Sequence, residues 1–207
     1  RKGGRLIAHT RHMADFGEVV HAVHARVHGT TAMQLGRFPP GTPYAASDPE
    51  LMLWVHATLV AASLTVYRRF VRPLSREDEE RYYAEMALVA RLFGTPPEVI
   101  PRSLADFRDY FAAQVASETI SVTAPAREVA AVILEAPLPA PMRLLVPAHR
   151  LATAGLLPPR LRHEYRLRWS PLHKLALPLA ARSLRVTTTA ALIAASRLAP
   201  LPRELAA

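Results

Sequence analysis

The stretch Ser47-Asp-Pro-Glu50-Leu-Met-Leu-Trp54-Val-His56-Ala-Thr-Leu-Val60-Ala-Ala-Ser-Leu64 decides the fold. Its first four residues form a capping box: the Ser47 hydroxyl can cap a helix, Glu50 can reach back, and Pro49 is tolerated in the first turn. A helix is therefore expected from Asp48 to about Phe70. Met52, Leu53, Trp54, Val55, Leu59, Val60, Ala61, Ala62 and Leu64 leave it apolar around nearly its whole circumference. A helix hydrophobic on all sides is buried on all sides, which makes this the central helix of the domain.

The flanking sequence extends the helical pattern. Ser75-Arg-Glu-Asp78 is a second capping box, opening a helix to about Phe93 with Gly94 as its C-terminal stop. Ser103 caps a further helix through Phe107, Tyr110 and Phe111, and Ala124 to Leu134 forms another. Before the central helix, residues 5–29 read as one or two helices broken near Asp15-Phe-Gly17. Arg37 to Pro43 is a loop, because its prolines and Gly41 forbid regular structure. After a rigid Ala136–Pro141 linker come a helix around Met142–Gly155, a turn at Leu157-Pro-Pro159, and terminal helices around 160–168 and 171–199. Pro178 should kink or restart the last of these. The β-leaning run Val186–Thr189 is short, and no alternating strand pattern stands out. The expected fold class is all-α, a globin-like helical bundle around a central buried helix.

Composition agrees. A chain of 207 residues can bury roughly 70% of its unfolded surface, and its apolar half is dominated by the helix formers Ala and Leu. Cysteine is absent, which excludes a disulfide framework, an iron–sulfur cluster and a thiolate-ligated haem or zinc. The net charge of +9 is uneven. Residues 1–136 carry 15 basic and 15 acidic side chains, whereas residues 137–207 carry 11 basic ones against Glu164 and Glu204. Two regions follow, a helical core over 1–136 and basic C-terminal helices over 137–207 packing on it. The basic third could approach anionic lipid or nucleic acid, or be a plain arginine-rich surface. Tyr165 and Trp169 lie among Arg160, Arg162, Arg166 and Arg168, a pattern that can stack bases or anchor a helix at a membrane interface. No nucleic-acid module accompanies the charge, so peripheral membrane contact is the better of the two readings. Leu51 to Val66 comes closest to a spanning segment but is short and contains His56. The start Arg1-Lys-Gly-Gly4 shows no signal peptide and, lacking methionine, suits a processed or truncated chain. The expected location is cytoplasmic, at most membrane-peripheral.

His56 is the leading candidate for chemistry. On a helix its neighbours are Met52, Leu53, Leu59 and Val60, an apolar wall with few polar partners. Burial there keeps an imidazole neutral, the form that coordinates a metal. From the residues alone two readings stand: a core histidine satisfied by a hydrogen bond, or an axial ligand in the apolar slot that haem b requires. His21, His24 and His28 would share one helix face, and Glu18-x-x-His21 is half of a di-iron carboxylate motif. No second Glu-x-x-His exists, and one straight helix rarely sets three zinc ligands tetrahedrally. A solvated face is the plainer account. His-Glu-x-x-His, phosphate-loop and nucleophile-elbow signatures are absent.

The segment Asp48-Pro-Glu-Leu-Met-Leu-Trp-Val-His56-Ala-Thr-Leu-Val60 is similar to the haem-ligand segment of the oxygenase family that includes latex clearing protein and the MpaB-type fungal oxygenases. Tyr67-Arg-Arg-Phe-Val-Arg-Pro-Leu-Ser75, Arg81-Tyr-Tyr-Ala-Glu85, Leu92-Phe-Gly-Thr-Pro-Pro97, Ser103-Leu-Ala-Asp-Phe107, Gly155-Leu-Leu-Pro-Pro-Arg160 and Arg168-Trp-Ser-Pro171 resemble further family stretches, in order. The resemblance makes His56 the proximal ligand of haem b iron. It makes Arg5 and Thr10, five residues apart rather than four, the nearest candidates for the family's Arg and Thr beside the haem. His24, Val27 and Gly29 match its His-x-x-Val-x-Gly pattern. Family members usually carry several dozen more residues before this point, and the distal acidic base of the rubber-cleaving members is not located in this sequence. The implied function is a haem-b-dependent oxygenase or oxidoreductase that joins dioxygen to a hydrophobic, isoprenoid- or lipid-like substrate. The alternative is a non-catalytic helical module binding lipid, a membrane surface or a protein partner through its basic C-terminal third.

Overall fold

Asp48, not Ser47, starts the long apolar helix. In the computed structural model its Oδ1 accepts the backbone N–H groups of Glu50 at 2.8 Å and Leu51 at 3.4 Å, and α1 runs Pro49–Val66. Pro49 thus takes the first helical position, where its missing N–H costs nothing. A π-helical turn, Tyr67–Val71, continues it. The structure describes residues 17, 19–135, 140, 143 and 146–198, with 187–198 as backbone alone.

Local signals set the other helix starts. Ser75 Oγ accepts the Asp78 N–H at 3.0 Å and opens α2, Arg76–Leu92. Gly94, at φ +89°, stops it in a conformation that side chains other than glycine resist. Ser103 and Asp106 form a complete reciprocal capping box on α3, Leu104–Ala116. Next come α4 (Ala124–Leu134), α5 (Val146–Leu156), α6 (Pro159–Glu164) and α7 (Pro171–Leu198). α7 passes through Pro178 without a restart. Most of the Ala136–Pro141 linker lies outside the described residues.

The chain is mostly α-helical, as expected, with one exception. The helix expected up to residue 29 ends at residue 24, and His28–Thr30 (β1) pairs antiparallel with Pro43–Ala45 (β2). The register sets Gly29 opposite Tyr44. Three-residue strands are too short to show alternation, so nothing in the sequence announces them.

α1 also departs from expectation. Met52, Leu53, Ala57, Val60 and Leu64 are buried, but Leu51, Val55 and Leu59 are 45%, 60% and 57% exposed. These three lie four residues apart, so one stripe of the helix stays open. By length and composition alone the helical run Pro49–Val71, 23 residues, could cross a membrane, a test that core helices of soluble proteins also pass.

Contacts divide the described residues into two compact units. The first holds residues up to Ser63 together with Ser75–Thr123. Its aromatic core runs from Tyr83 to Phe107 (ring centroids 5.1 Å apart), Phe111 (6.2 Å) and Trp54 (5.5 Å). The Tyr83 hydroxyl donates to the Pro101 carbonyl at 2.5 Å. Burial, with the Asp106 charge second, pushes its pKa up to about 12. The buried Glu79 carboxylate is ion-paired with Arg108.

The second unit comprises Leu64–Leu74 and the described residues from Ala124 onward. Phe70, Leu177 and Ala181 form its buried centre, with Leu151, Ala152, Leu156 and Trp169 packed against them. Helix contact is close at Gly155, where a Cβ would sit 2.2 Å from Leu177 Cδ2 and 2.8 Å from Trp169 Cη2. Arg162 donates to the carbonyls of Ala154 (2.6 Å) and Leu157 (2.8 Å), satisfying the end of α5, and lies 4.2 Å over the Trp169 ring. Arg185 does likewise for the π turn, donating to the Arg69 carbonyl at 2.7 Å and to that of Arg68.

Candidate functional site

The open stripe of α1 faces a cavity of about 510 Å³ in the first unit. Val20, Leu51, Met52, Val55, Leu59, Ala90 and Phe93 give it apolar walls, and Tyr44, Trp54, Thr95, His24 and His56 also line it. α1 supplies the wall because Leu51, Val55 and Leu59 recur every fourth residue with His56 beside them.

Burial lowers the pKa of His56 below the usual histidine value, and a hydrogen bond to the Met86 backbone carbonyl acts more weakly in the opposite direction. Its Nε2 is buried and has no hydrogen-bond partner. In the tautomer whose Nδ1 carries the proton, the lone pair lies on Nε2. An imidazole with its Nδ1–H tied to a carbonyl and a bare Nε2 has the form in which histidine ligates metals. Leaving such an atom buried and unpaired costs on the order of 1–3 kcal/mol.

His24 is the second cavity histidine. Its Nδ1 is buried without a hydrogen-bond partner, and these two imidazole nitrogens are the buried side-chain atoms so stranded among the described residues. The shared face expected for His21, His24 and His28 does not form, because the helix ends at residue 24 and β1 carries the exposed His28 away. His21 is exposed and sits beside Gly94, its Nδ1 3.2 Å from where a Cβ there would be. No group of three His, Asp or Glu suited to a metal occurs among the described residues. Arg5, Thr10 and Glu18 lie outside the described residues. Sequence reasoning placed His24 on a helix face and missed its role in the cavity; the one available signal was the His-x-x-Val-x-Gly pattern.

The basic aromatic cluster is engaged within its own unit. Trp169 packs under Arg162 and stacks on His173 at 5.6 Å, while Arg160 pairs with Glu164 at 2.6 Å. That leaves little of it arranged to stack bases.

Comparison with known proteins agrees with the resemblance. The sequence model of the family described as ER-bound oxygenase mpaB/B'/rubber oxygenase, catalytic domain, matches residues 5–190. Two mycobacterial proteins, uncharacterized protein Mb2261 of Mycobacterium bovis and uncharacterized protein Rv2237 of Mycobacterium tuberculosis, are each 29% identical over 129 residues. The match takes in 61% of this chain and 50% of each relative, so the chain spans about half the length of the curated relatives it matches. No solved structure matches significantly.

Proposed function

This chain belongs to the family of ER-bound MpaB-type and rubber oxygenases, and from that premise we propose that it is a haem-b-dependent oxygenase acting on a hydrophobic, isoprenoid- or lipid-like substrate. The observation that carries the reading is the bare, buried Nε2 of His56 at an apolar cavity. The residues present suit the cofactor. With cysteine absent, a neutral imidazole is the fitting axial ligand. The cavity of about 510 Å³ falls within the roughly 300–1,000 Å³ typical of cofactor and small-molecule pockets. When bound, haem supplies the iron at which dioxygen is activated.

The chain's own residues do the rest. The Met86 carbonyl fixes the His56 ring and raises its basicity as a ligand. Met52, Ala90 and Phe93 keep water from the interior, and the exposed Leu51, Val55 and Leu59 give an apolar mouth that accepts an apolar substrate. Arg5 and Thr10 join the haem contacts on the strength of the family resemblance.

The test is a pyridine haemochrome assay and absorption spectrum on protein expressed with haem supply. Near-stoichiometric haem b is expected, with the Soret band lost in His56→Ala. An unchanged band in that variant moves the ligand elsewhere, and a colourless folded wild type removes the reading.

One feature favours a second reading, a helical module that binds anionic lipid. Leu172, Leu175 and Leu179 on α7 are 75%, 66% and 67% exposed, in a unit rich in arginine. An apolar stripe flanked by cationic side chains suits a membrane interface. This fits a cytoplasmic protein working at a membrane surface, and the family description itself names ER-bound members. Flotation with phosphatidylserine vesicles that weakens with salt is expected. If the protein also proves colourless, lipid binding replaces oxygenation as its function.

A further inference from the structure

The pattern His24-x-x-Val27-x-Gly29 builds a second wall of the cavity, and each of its residues has a physical task. The helix ends at residue 24, and the Val27 N–H bonds back to the His24 carbonyl at 3.1 Å. The Val27 carbonyl accepts the Ala46 N–H at 2.8 Å, which ties this turn to the segment leading into α1. Gly29 lies opposite Tyr44 in the ribbon, and a Cβ there would come within 3.1 Å of the Tyr44 hydroxyl and 3.3 Å of Cζ. Glycine lets the Tyr44 ring lie across the strand, where it lines the cavity. The turn thereby holds the His24 ring at that same cavity, its Nδ1 buried and unpartnered.

We propose that His24 is a positioning residue for the group held beside His56, its Nδ1 hydrogen-bonding an oxygen atom of that group. This rests on the haem-binding reading above. Buried polar atoms in folded proteins are almost always paired, yet one imidazole nitrogen on each of two residues lining the same apolar cavity is not. His56 offers a buried Nε2 without a partner, as an iron ligand would. The His24 side chain makes no hydrogen bond among the described residues, so removing it breaks none there. A polar atom kept at such a cost, with no internal task, serves the occupant.

The test titrates ferric haem b into the full-length apoprotein and follows the Soret band. His24→Ala should weaken haem binding roughly three- to tenfold, the size of one hydrogen bond, with the band shifted but present. His24→Asn should restore binding, because its amide reaches the place of Nδ1; His24→Gln, which reaches the place of Nε2, should not. Apoprotein carrying His24→Leu should melt at the wild-type temperature or above it, since an unpaired polar atom has been removed.

Equal haem affinity in wild type and His24→Ala overturns the proposal while leaving the haem reading intact. Loss of the band in His24→Ala as complete as in His56→Ala overturns it too, by making His24 an iron ligand. A clear fall in the melting temperature of His24→Leu overturns it in favour of a structural role. Failure of the wild type to bind haem at all removes both readings together, a result distinct from the other three.

Discussion

The two units differ in charge and in how their polar groups are used. Residues 1–63 and 75–123 carry 11 basic and 13 acidic side chains, whereas 64–74 and 124–207 carry 15 basic against 4 acidic. In the second unit the long cations serve internal ends: Arg162 closes α5 and Arg185 closes the π turn, each through two backbone carbonyls. Gly155 lets helices meet where a Cβ would force Leu177 or Trp169 to shift. The first unit has satisfied groups as well, such as Tyr83 and Glu79, but it also keeps a cavity and two unpaired imidazole nitrogens. Where polar groups are paired, the structure serves stability. Where they are left bare on residues that line a cavity, the proposed occupant gives them a partner.

The largest expected effect sharpens that contrast. Leu177 is 2% exposed at the centre of the second unit, so Leu177→Ala should cost about 2–5 kcal/mol through lost burial and the cavity left behind. Val55, on the open stripe, is 60% exposed, and Val55→Thr should stay within about 0.5 kcal/mol. The chain carries two tryptophans, Trp54 in the first unit and Trp169 in the second. Each can report on its own unit once the other is replaced by phenylalanine. Urea unfolding of Leu177→Ala with Trp169 as reporter should show a sharply lower midpoint; Val55→Thr with Trp54 as reporter should not. Comparable losses in both would mean that the α1 stripe is covered in solution.

Much of this was legible because it is local. Ser75 and Ser103 cap the helices they were expected to cap, since a hydroxyl three residues before a carboxylate needs no tertiary context. The shift from Ser47 to Asp48 was also within reach: Pro49 prefers the first helical position, which makes the residue before it the cap. His56 stood out as the imidazole on the helix that is apolar around nearly its whole circumference. The rest depends on long-range pairing. The β1–β2 ribbon has no pattern of its own, yet it ends the N-terminal helix and turns His24 to the cavity. The exposure of Leu51, Val55 and Leu59 was hidden for a related reason: composition states what a face prefers and not whether the chain supplies a cover for it.

Tyr83 offers a finer test within the first unit, because it is a buried polar group that is paired. Below pH 10, Tyr83→Phe should lose one hydrogen bond, about 0.5–1.5 kcal/mol. The pH dependence is the diagnostic part. In the unfolded chain a tyrosine ionises near its ordinary value of 10.0, while the folded Tyr83 holds its proton until about 12. Across that window the folded state binds the extra proton, so wild-type stability falls as pH rises, and the fall is complete above the folded pKa. The phenylalanine variant has no such loss, and the other tyrosines and arginines cancel in the difference. The wild-type advantage over Tyr83→Phe should therefore shrink from pH 10 upward and reverse by about pH 12, read by urea midpoints with Trp54 as reporter. A gap that stays constant would mean the Tyr83 phenol is wetter than its packing against Phe107 implies, and the contrast between paired and bare polar groups in this unit would lose its clearest paired member.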